Sequence, residues 1–189
     1  TILDNDNGGT LQFAAAAQTV GENVAGGKTN VNVTRTGTAL AGGILVDYTA
    51  TGDTSAVTLP SGNTSGTLTF GAGQTSLPLV VTIVTNPTAE PDRNVSFTLS
   101  NARSIGPAIG ANAPSLGIVP MTTLKIVDDE PRVQFGAATS TVTEGGVATI
   151  TVTRTGSTSG QVMVDYATGG GTAVPNTHYT PGGGALPFP

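Results

Sequence analysis

The chain contains no cysteine and no tryptophan, and only 10% of its 189 residues are charged. Without cysteine there is no disulfide framework, no thiolate metal site and no cysteine nucleophile. His178 is the only histidine, so a metal site built from several histidines is excluded as well. What remains for a metal ion is binding by clustered carboxylates.

Positive charge and long apolar runs are also scarce. The seven basic residues are scattered along the chain, so there is no basic patch of the kind that binds nucleic acid. No apolar run is long enough to span a bilayer, which argues against membrane insertion. The formal net charge of −5 favours solubility, and it favours cation binding only where the acids cluster.

Turn-forming residues and short alternating stretches are abundant instead. The chain has 27 glycines and 12 prolines, and in "VNVTR" Val31 and Val33 face one way while Asn32 and Thr34 face the other. Six to eight short strands of this kind predict an all-β fold of immunoglobulin-like antiparallel β-sandwiches, with about seven strands per complete domain. The stretch 102–121 lacks this alternation and predicts a long loop between the last two strands.

A unit of roughly 120 residues repeats along the chain. "VTRTG" occurs at 33–37 and again at 152–156, and "VDY" occurs at 46–48 and again at 164–166. "ILDND" at 2–6 resembles "IVDDE" 124 positions later. Because the offsets agree to within a few residues, we interpret the chain as consecutive copies of one domain type.

The repeat predicts three segments. Residues 1–8 are the last strand of an upstream unit, 9–130 form a complete domain, and 131–189 form the first half of a second domain. We therefore expect an excerpt from a longer array. Since the second unit has no counterparts of 71–130, its sheets should present unpaired edges, and neighbouring repeats or copies of the same chain are the expected strand donors.

Several motifs in fixed order carry a family resemblance. They are "TVTEGG" (141–146), "TRTG" (34–37), "VDY" (46–48), "GTLTFGAGQTS" (66–76), "FTLSN" (97–101) and the closing "IVDD" (126–129). Together these motifs resemble the Calx-β repeat family over almost the whole chain. The resemblance implies tandem seven-stranded immunoglobulin-like sandwiches, in agreement with the alternation.

The resemblance also implies a calcium site at one end of the sandwich. Carried over by position, the metal-ligand candidates are the acids after the first strand, after the "VDY" strand, before the penultimate strand and after the last strand, namely Glu22, Asp53, Glu90, Asp128, Asp129 and Glu130. Other family acids fall on Thr85, Asn86 and Arg93, so we expect Ca²⁺ binding to be weak, because affinity follows ligand charge. The alternative is that these are solvated loop acids without an ion.

These expectations favour a structural role over a catalytic one. We interpret the chain as a non-catalytic repeat module of a long extracellular surface, adhesive or filament-forming protein of bacterial type, stiffened at its junctions by weakly bound Ca²⁺. The Glu130–Pro131 step fits a short, stiff junction. A calcium-sensing regulatory module is the alternative. An enzyme is disfavoured, because Glu90 and Asp92 are accompanied by no sign of a cleft or an aromatic sugar platform.

Overall fold

The structure is a computed structural model, and it describes residues 7–38, 40, 43–105, 113–157 and 160–189. The chain forms two compact units, which divide between Asp128 and Asp129. Most of the predicted orphan strand at 1–8 lies outside the described residues. Within the described part of the chain, no helix is long and apolar enough to cross a membrane.

The described residues of the first unit form ten strands: β1 (Thr10–Phe13), β2 (Ala17–Gly21), β3 (Lys28–Thr36), β4 (Ile44–Gly52), β5 (Val57–Thr58), β6 (Ser65–Phe70), β7 (Ser76–Ile83), β8 (Arg93–Ser104), β9 (Ser115–Leu116) and β10 (Met121–Val127). The first sheet has the order β5-β7-β3-β1-β9, and the second has the order β2-β10-β8-β4-β6. Pairing is antiparallel except between β1 and β9 and between β2 and β10.

This arrangement confirms the predicted all-β sandwich, although the strand count differs from seven. Two of the ten strands, β5 and β9, have only two residues each. In addition, β1 and β2 lie in different sheets, because the chain changes sheets between Phe13 and Ala17. The prediction of a continuous loop at 102–121 is wrong in part. The strand β8 extends to Ser104, and the short strand β9 lies inside the interval. Residues 106–112 lie outside the described residues.

The core lies between the two sheets and follows the alternation in the sequence. Val31 and Val33 of β3 are buried, and Asn32 between them is exposed. Phe13 and Phe97 are also buried and belong to opposite sheets, so their side chains fill the space between the layers. Burial of this apolar surface is the main favourable contribution to folding.

The first unit buries an arginine, on the same face of β3 as Val31 and Val33. Arg35 of β3 is only 1% exposed. Its Nε donates to the carbonyl of Gly8 at 2.9 Å, its Nη2 to that of Asn7 at 3.1 Å, and its Nη1 to that of Gly71 at 3.2 Å. Burial removes water from the guanidinium and lowers the pKa of Arg35. The side chain therefore joins residues 7 and 8, which precede β1, to the residue that follows β6.

Asp47 of β4 lies on the outer face, because its neighbour Tyr48 is buried and successive side chains of a strand point to opposite faces. Its carboxylate accepts from Thr67 Oγ1 at 2.7 Å and Asn101 Nδ2 at 2.7 Å, and it pairs with Arg103 Nη1 at 2.8 Å. Partial desolvation raises the pKa of Asp47, but these hydrogen bonds and the Arg103 charge outweigh it and lower the pKa overall. Asp47 thus links three strands of the second sheet.

In the second unit, the part of the chain that the structure describes forms four strands in two separate pairs: β11 (Arg132–Phe135), β12 (Val152–Thr155), β13 (Val162–Ala167) and β14 (Gly183–Phe188). The pairs are β11 with β12 and β13 with β14, both antiparallel. They repeat the β1–β3 and β4–β6 pairs of the first unit. Arg154 repeats Arg35, and its Nη1 donates to the carbonyl of Pro189 at 3.0 Å, just as Arg35 binds Gly71 after β6.

Apolar side chains that are buried in the first unit are open in the second. Phe13 is 1% exposed, whereas its counterpart Phe135 is 65% exposed. In the first unit β3 also pairs with β7 and β4 also pairs with β8. Among the described residues of the second unit, β12 and β13 have no such second neighbour. The predicted unpaired edges are therefore present in the structure.

Candidate metal centre

The ends of β2 and β10 bring two of the predicted ligands together. These strands run parallel, with Gly21 opposite Val127, so the residues that follow each strand emerge at the same end of the sheet. The backbone N–H of Glu22 donates to the carbonyl of Val127 at 2.9 Å. As a result, carboxylate oxygens of Glu22 and Asp128 lie within 4.8 Å of each other, although the residues are more than 100 positions apart.

Glu22 is the most buried acid at this end of the domain, with 1% of its surface exposed. Its Oε1 accepts three hydrogen bonds, each 2.9 Å long. Two come from the backbone N–H and the side-chain amide of Asn86, and the third comes from Nη2 of Arg93. A buried carboxylate requires such compensation, because desolvation strongly disfavours an isolated charge.

The loop between β7 and β8 and the first residue of β8 supply the partners of Glu22. Glu90 Oε1 accepts from the Asn86 amide at 2.6 Å and lies 3.4 Å from Nη2 of Arg93. The same Nη2 donates to the carbonyl of Val84 at 3.3 Å. The Arg93 guanidinium therefore lies between two carboxylates, Glu22 and Glu90, at the base of this loop.

A second layer of contacts joins this loop to the end of β10. The backbone N–H of Glu90 donates to Asp128 Oδ1 at 2.9 Å, and the N–H of Asp128 donates to Asp92 Oδ1 at 3.2 Å. Asp92 Oδ2 also pairs with Lys125 Nζ at 2.7 Å. We call the group Glu22, Asn86, Glu90, Asp92, Arg93, Lys125 and Asp128 the acidic pole. Its four carboxylates are opposed by two cationic side chains.

Asp53, another of the predicted ligands, contacts the start of β8 instead of the acidic pole. Asp53 Oδ2 accepts from the backbone N–H of Asn94 at 3.1 Å, and the Asp53 N–H donates to the Asn94 carbonyl at 2.9 Å, so its carboxylate serves the backbone at the start of β8. Asp129 and Glu130 are the first residues of the second unit. There the carbonyl of Asp129 accepts from the N–H of Ser157 at 3.2 Å.

The donor set of the acidic pole fits a calcium ion only as a weak site. Calcium takes about 6–8 oxygen ligands, usually including several carboxylates. Glu22 and Asp128 offer two carboxylates at a suitable spacing, but one oxygen of Glu22 already accepts three N–H groups. An ion held there would link the ends of β2 and β10.

The sequence indicated the unusual charge of Arg93 but not its contacts. Its position could be marked as a departure from the family pattern, with a positive charge where an acid is usual. The sequence could not show that Arg93 and Asn86 converge on the same oxygen of Glu22, because these contacts depend on the course of the loop. The sequence feature that could have indicated these contacts is a basic residue that directly follows Asp92 and lies three positions after Glu90.

A comparison with protein families gave one match. The family model described as the Calx-beta domain matches residues 4–130 and again residues 126–189. No curated protein matched the chain.

Solved structures show the same fold. The crystal structure of CBD12 from CALX1.2 is 22% identical, with 95% of this chain and 69% of that chain covered and a TM-score of 0.57. The calcium binding domain CBD12 of CALX1.1 is also 22% identical, with 94% and 69% covered and a TM-score of 0.56. The Calx CBD2 domain is 16% identical, with 67% and 91% covered and a TM-score of 0.55. Since the family model covers both units, the chain belongs to the Calx-beta domain family.

Proposed function

We propose that the chain is a non-catalytic structural repeat module of a long extracellular or cell-surface protein of bacterial type, adhesive or filament-forming. The observation that carries the proposal is the direct succession of two copies of one module. The two family matches share residues 126–130, so no separate linker lies between them. Pro131 follows at once and restricts Glu130 to extended geometry, which favours a short and stiff junction.

Polar side chains in both units support a non-catalytic role. The carboxylates of the acidic pole face N–H groups and cationic side chains of the protein itself. His178, in the second unit, uses Nδ1 to accept from the backbone N–H of Val174 at 2.8 Å. Each group is therefore engaged in holding local structure, which is the pattern of a scaffold.

Calcium is proposed as a weak, stabilising ligand of the acidic pole, held by Glu22 and Asp128. Two carboxylates provide little ligand charge, and calcium affinity follows the number of charged ligands and the rigidity of the site. We therefore place the affinity in the range of extracellular modules, with a dissociation constant of about 0.1–1 mM. A calcium sensor requires binding at about 0.1–10 µM, so affinity separates the two candidate functions.

A thermal titration tests this assignment. For a dissociation constant of about 1 mM, about 10 mM Ca²⁺ adds roughly 1.4 kcal/mol to the stability of the first unit, which raises its melting temperature by about 3–5 °C. About 10 µM Ca²⁺ should leave the melting temperature unchanged. The measurement is circular dichroism of the full chain against Ca²⁺ concentration, with equimolar Mg²⁺ as the control for ionic strength.

Two matched variants sharpen the titration. Asp128→Asn should abolish the calcium response, whereas Asp53→Asn should keep it, because Asp53 contacts Asn94 instead of the Glu22–Asp128 pair. A melting temperature of the wild-type chain that is equal in EDTA and in millimolar Ca²⁺ would remove calcium from the proposal.

The second unit points to strands as partners. In the first unit, β7 covers the edge of β3, and β8 covers the edge of β4. We propose that segments equivalent to 71–130, from a neighbouring repeat or another copy of the chain, cover β12 and β13 in the same way. Pairing would also bury the exposed face around Phe135.

A further inference from the structure

Arg93 holds the position in which a bound cation would neutralise the acidic pole. We infer that its guanidinium is a built-in counter-cation, which keeps the pole folded without metal and suppresses calcium binding there. This inference rests on the proposed assignment of the pole as a weak calcium site. It goes further by naming the residue that sets the affinity, and by predicting that one substitution makes the domain depend on calcium.

Glu22 is a buried carboxylate whose negative charge has to be compensated. Only 1% of the Glu22 side chain is exposed, and Nη2 of Arg93 lies 2.9 Å from its Oε1. The Arg93 side chain is itself 18% exposed. A charge removed from water in this way needs both an opposite charge and several hydrogen bonds. Asn86 supplies two of the bonds, but it is neutral. Arg93 therefore supplies the positive charge that compensates Glu22.

Arg93 and a bound calcium ion would compete for the carboxylate of Glu22. Calcium bound to Glu22 and Asp128 would lie within a few ångströms of the Arg93 guanidinium, and two like charges repel strongly in a partly buried site. Arg93 also bridges Glu22 to Glu90 at 3.4 Å, so it withdraws two carboxylates from an incoming ion. Binding of the ion then requires Arg93 to leave the oxygen of Glu22.

Lys125 provides a matched control at the same pole. It pairs with Asp92 at 2.7 Å and is 48% exposed, so it is more accessible to water than Arg93. Replacement of either residue by glutamine changes the net charge by the same amount. Only Arg93, however, contacts Glu22, so the two variants separate a specific contact from general electrostatic attraction.

The experiment compares the wild-type chain, Arg93→Gln and Lys125→Gln by calorimetric titration with CaCl₂ and by thermal unfolding in EDTA. For Arg93→Gln we expect calcium binding at least about tenfold tighter than wild type, because removal of the guanidinium frees Glu22 and Glu90 as ligands. In EDTA its melting temperature should fall below that of wild type, and Ca²⁺ should restore it. Lys125→Gln should stay within about threefold of wild-type affinity.

Each outcome decides the question. Tighter binding by Arg93→Gln alone supports the inference, even if the wild-type chain shows no response to Ca²⁺ and the calcium part of the proposed function fails. Equal affinity in Arg93→Gln and wild type overturns it, as does an equal gain in Lys125→Gln. If Arg93→Gln stays unfolded in about 10 mM Ca²⁺, the ion does not replace the guanidinium, and the inference is also overturned.

Discussion

Replacement of Phe13 by alanine is expected to lower the free energy of unfolding of the first unit by about 3–5 kcal/mol. Phe13 is 1% exposed, and it lies on β1 opposite Val33, in the layer between the two sheets. Its truncation removes buried apolar surface and leaves a cavity that the surrounding strands fill only in part. Urea unfolding of the full chain, followed by far-ultraviolet circular dichroism, measures the change.

The repeat provides the control for this prediction. Phe135 is the counterpart of Phe13 in the second unit and is 65% exposed. Phe135→Ala should therefore change stability by less than about 1 kcal/mol, because the side chain loses little buried surface. Equal costs for the two substitutions would show that the side chain of Phe135 is as buried as that of Phe13.

Replacement of Arg35 by methionine is expected to cost about 3 kcal/mol. Methionine can occupy much of the same apolar volume, but it cannot donate to the carbonyls of Asn7, Gly8 and Gly71. Gly8 is buried, so its carbonyl would lose a partner where water does not easily replace it. The same urea unfolding experiment reports the loss.

Arg103→Met is the matched control for the arginine. Arg103 is 37% exposed and pairs with Asp47 on the outer face, and such partly exposed ion pairs contribute about 0–1 kcal/mol. If Arg35→Met lowers the free energy of unfolding no more than Arg103→Met does, residues 7 and 8 do not depend on the buried guanidinium. Hydrogen exchange at residues 7–9 gives a local readout, since these amides should lose protection first.

The sequence predicted the sandwich and its core because two periodicities are strong. Strict alternation assigns Val31 and Val33 to the inside, and a recurring unit shows that the same pattern serves two domains. The family resemblance implied that Glu22 and Asp128 meet, and the parallel pairing of β2 with β10 explains why they do. These are consequences of strand geometry, and they need no knowledge of individual side-chain contacts.

Other features could not be predicted, since they contradict the usual rules of burial. Charged residues are seldom fully buried, so the alternation placed no importance on Arg35, although its position in β3 faces inward. The compensation of the Glu22 charge depends on the path of the loop that carries Asn86 and leads into Arg93. Loop paths follow from many weak contacts, and no periodic pattern encodes them.

The proposal of a structural spacer is tested most directly by small-angle X-ray scattering of the full chain across a calcium series, from EDTA to about 10 mM. The proposal predicts that the maximum dimension and the radius of gyration stay constant up to about 10 µM Ca²⁺, the range in which calcium sensors respond. A change in either quantity between about 0.1 and 10 µM would contradict it and assign the chain to the calcium-sensing modules.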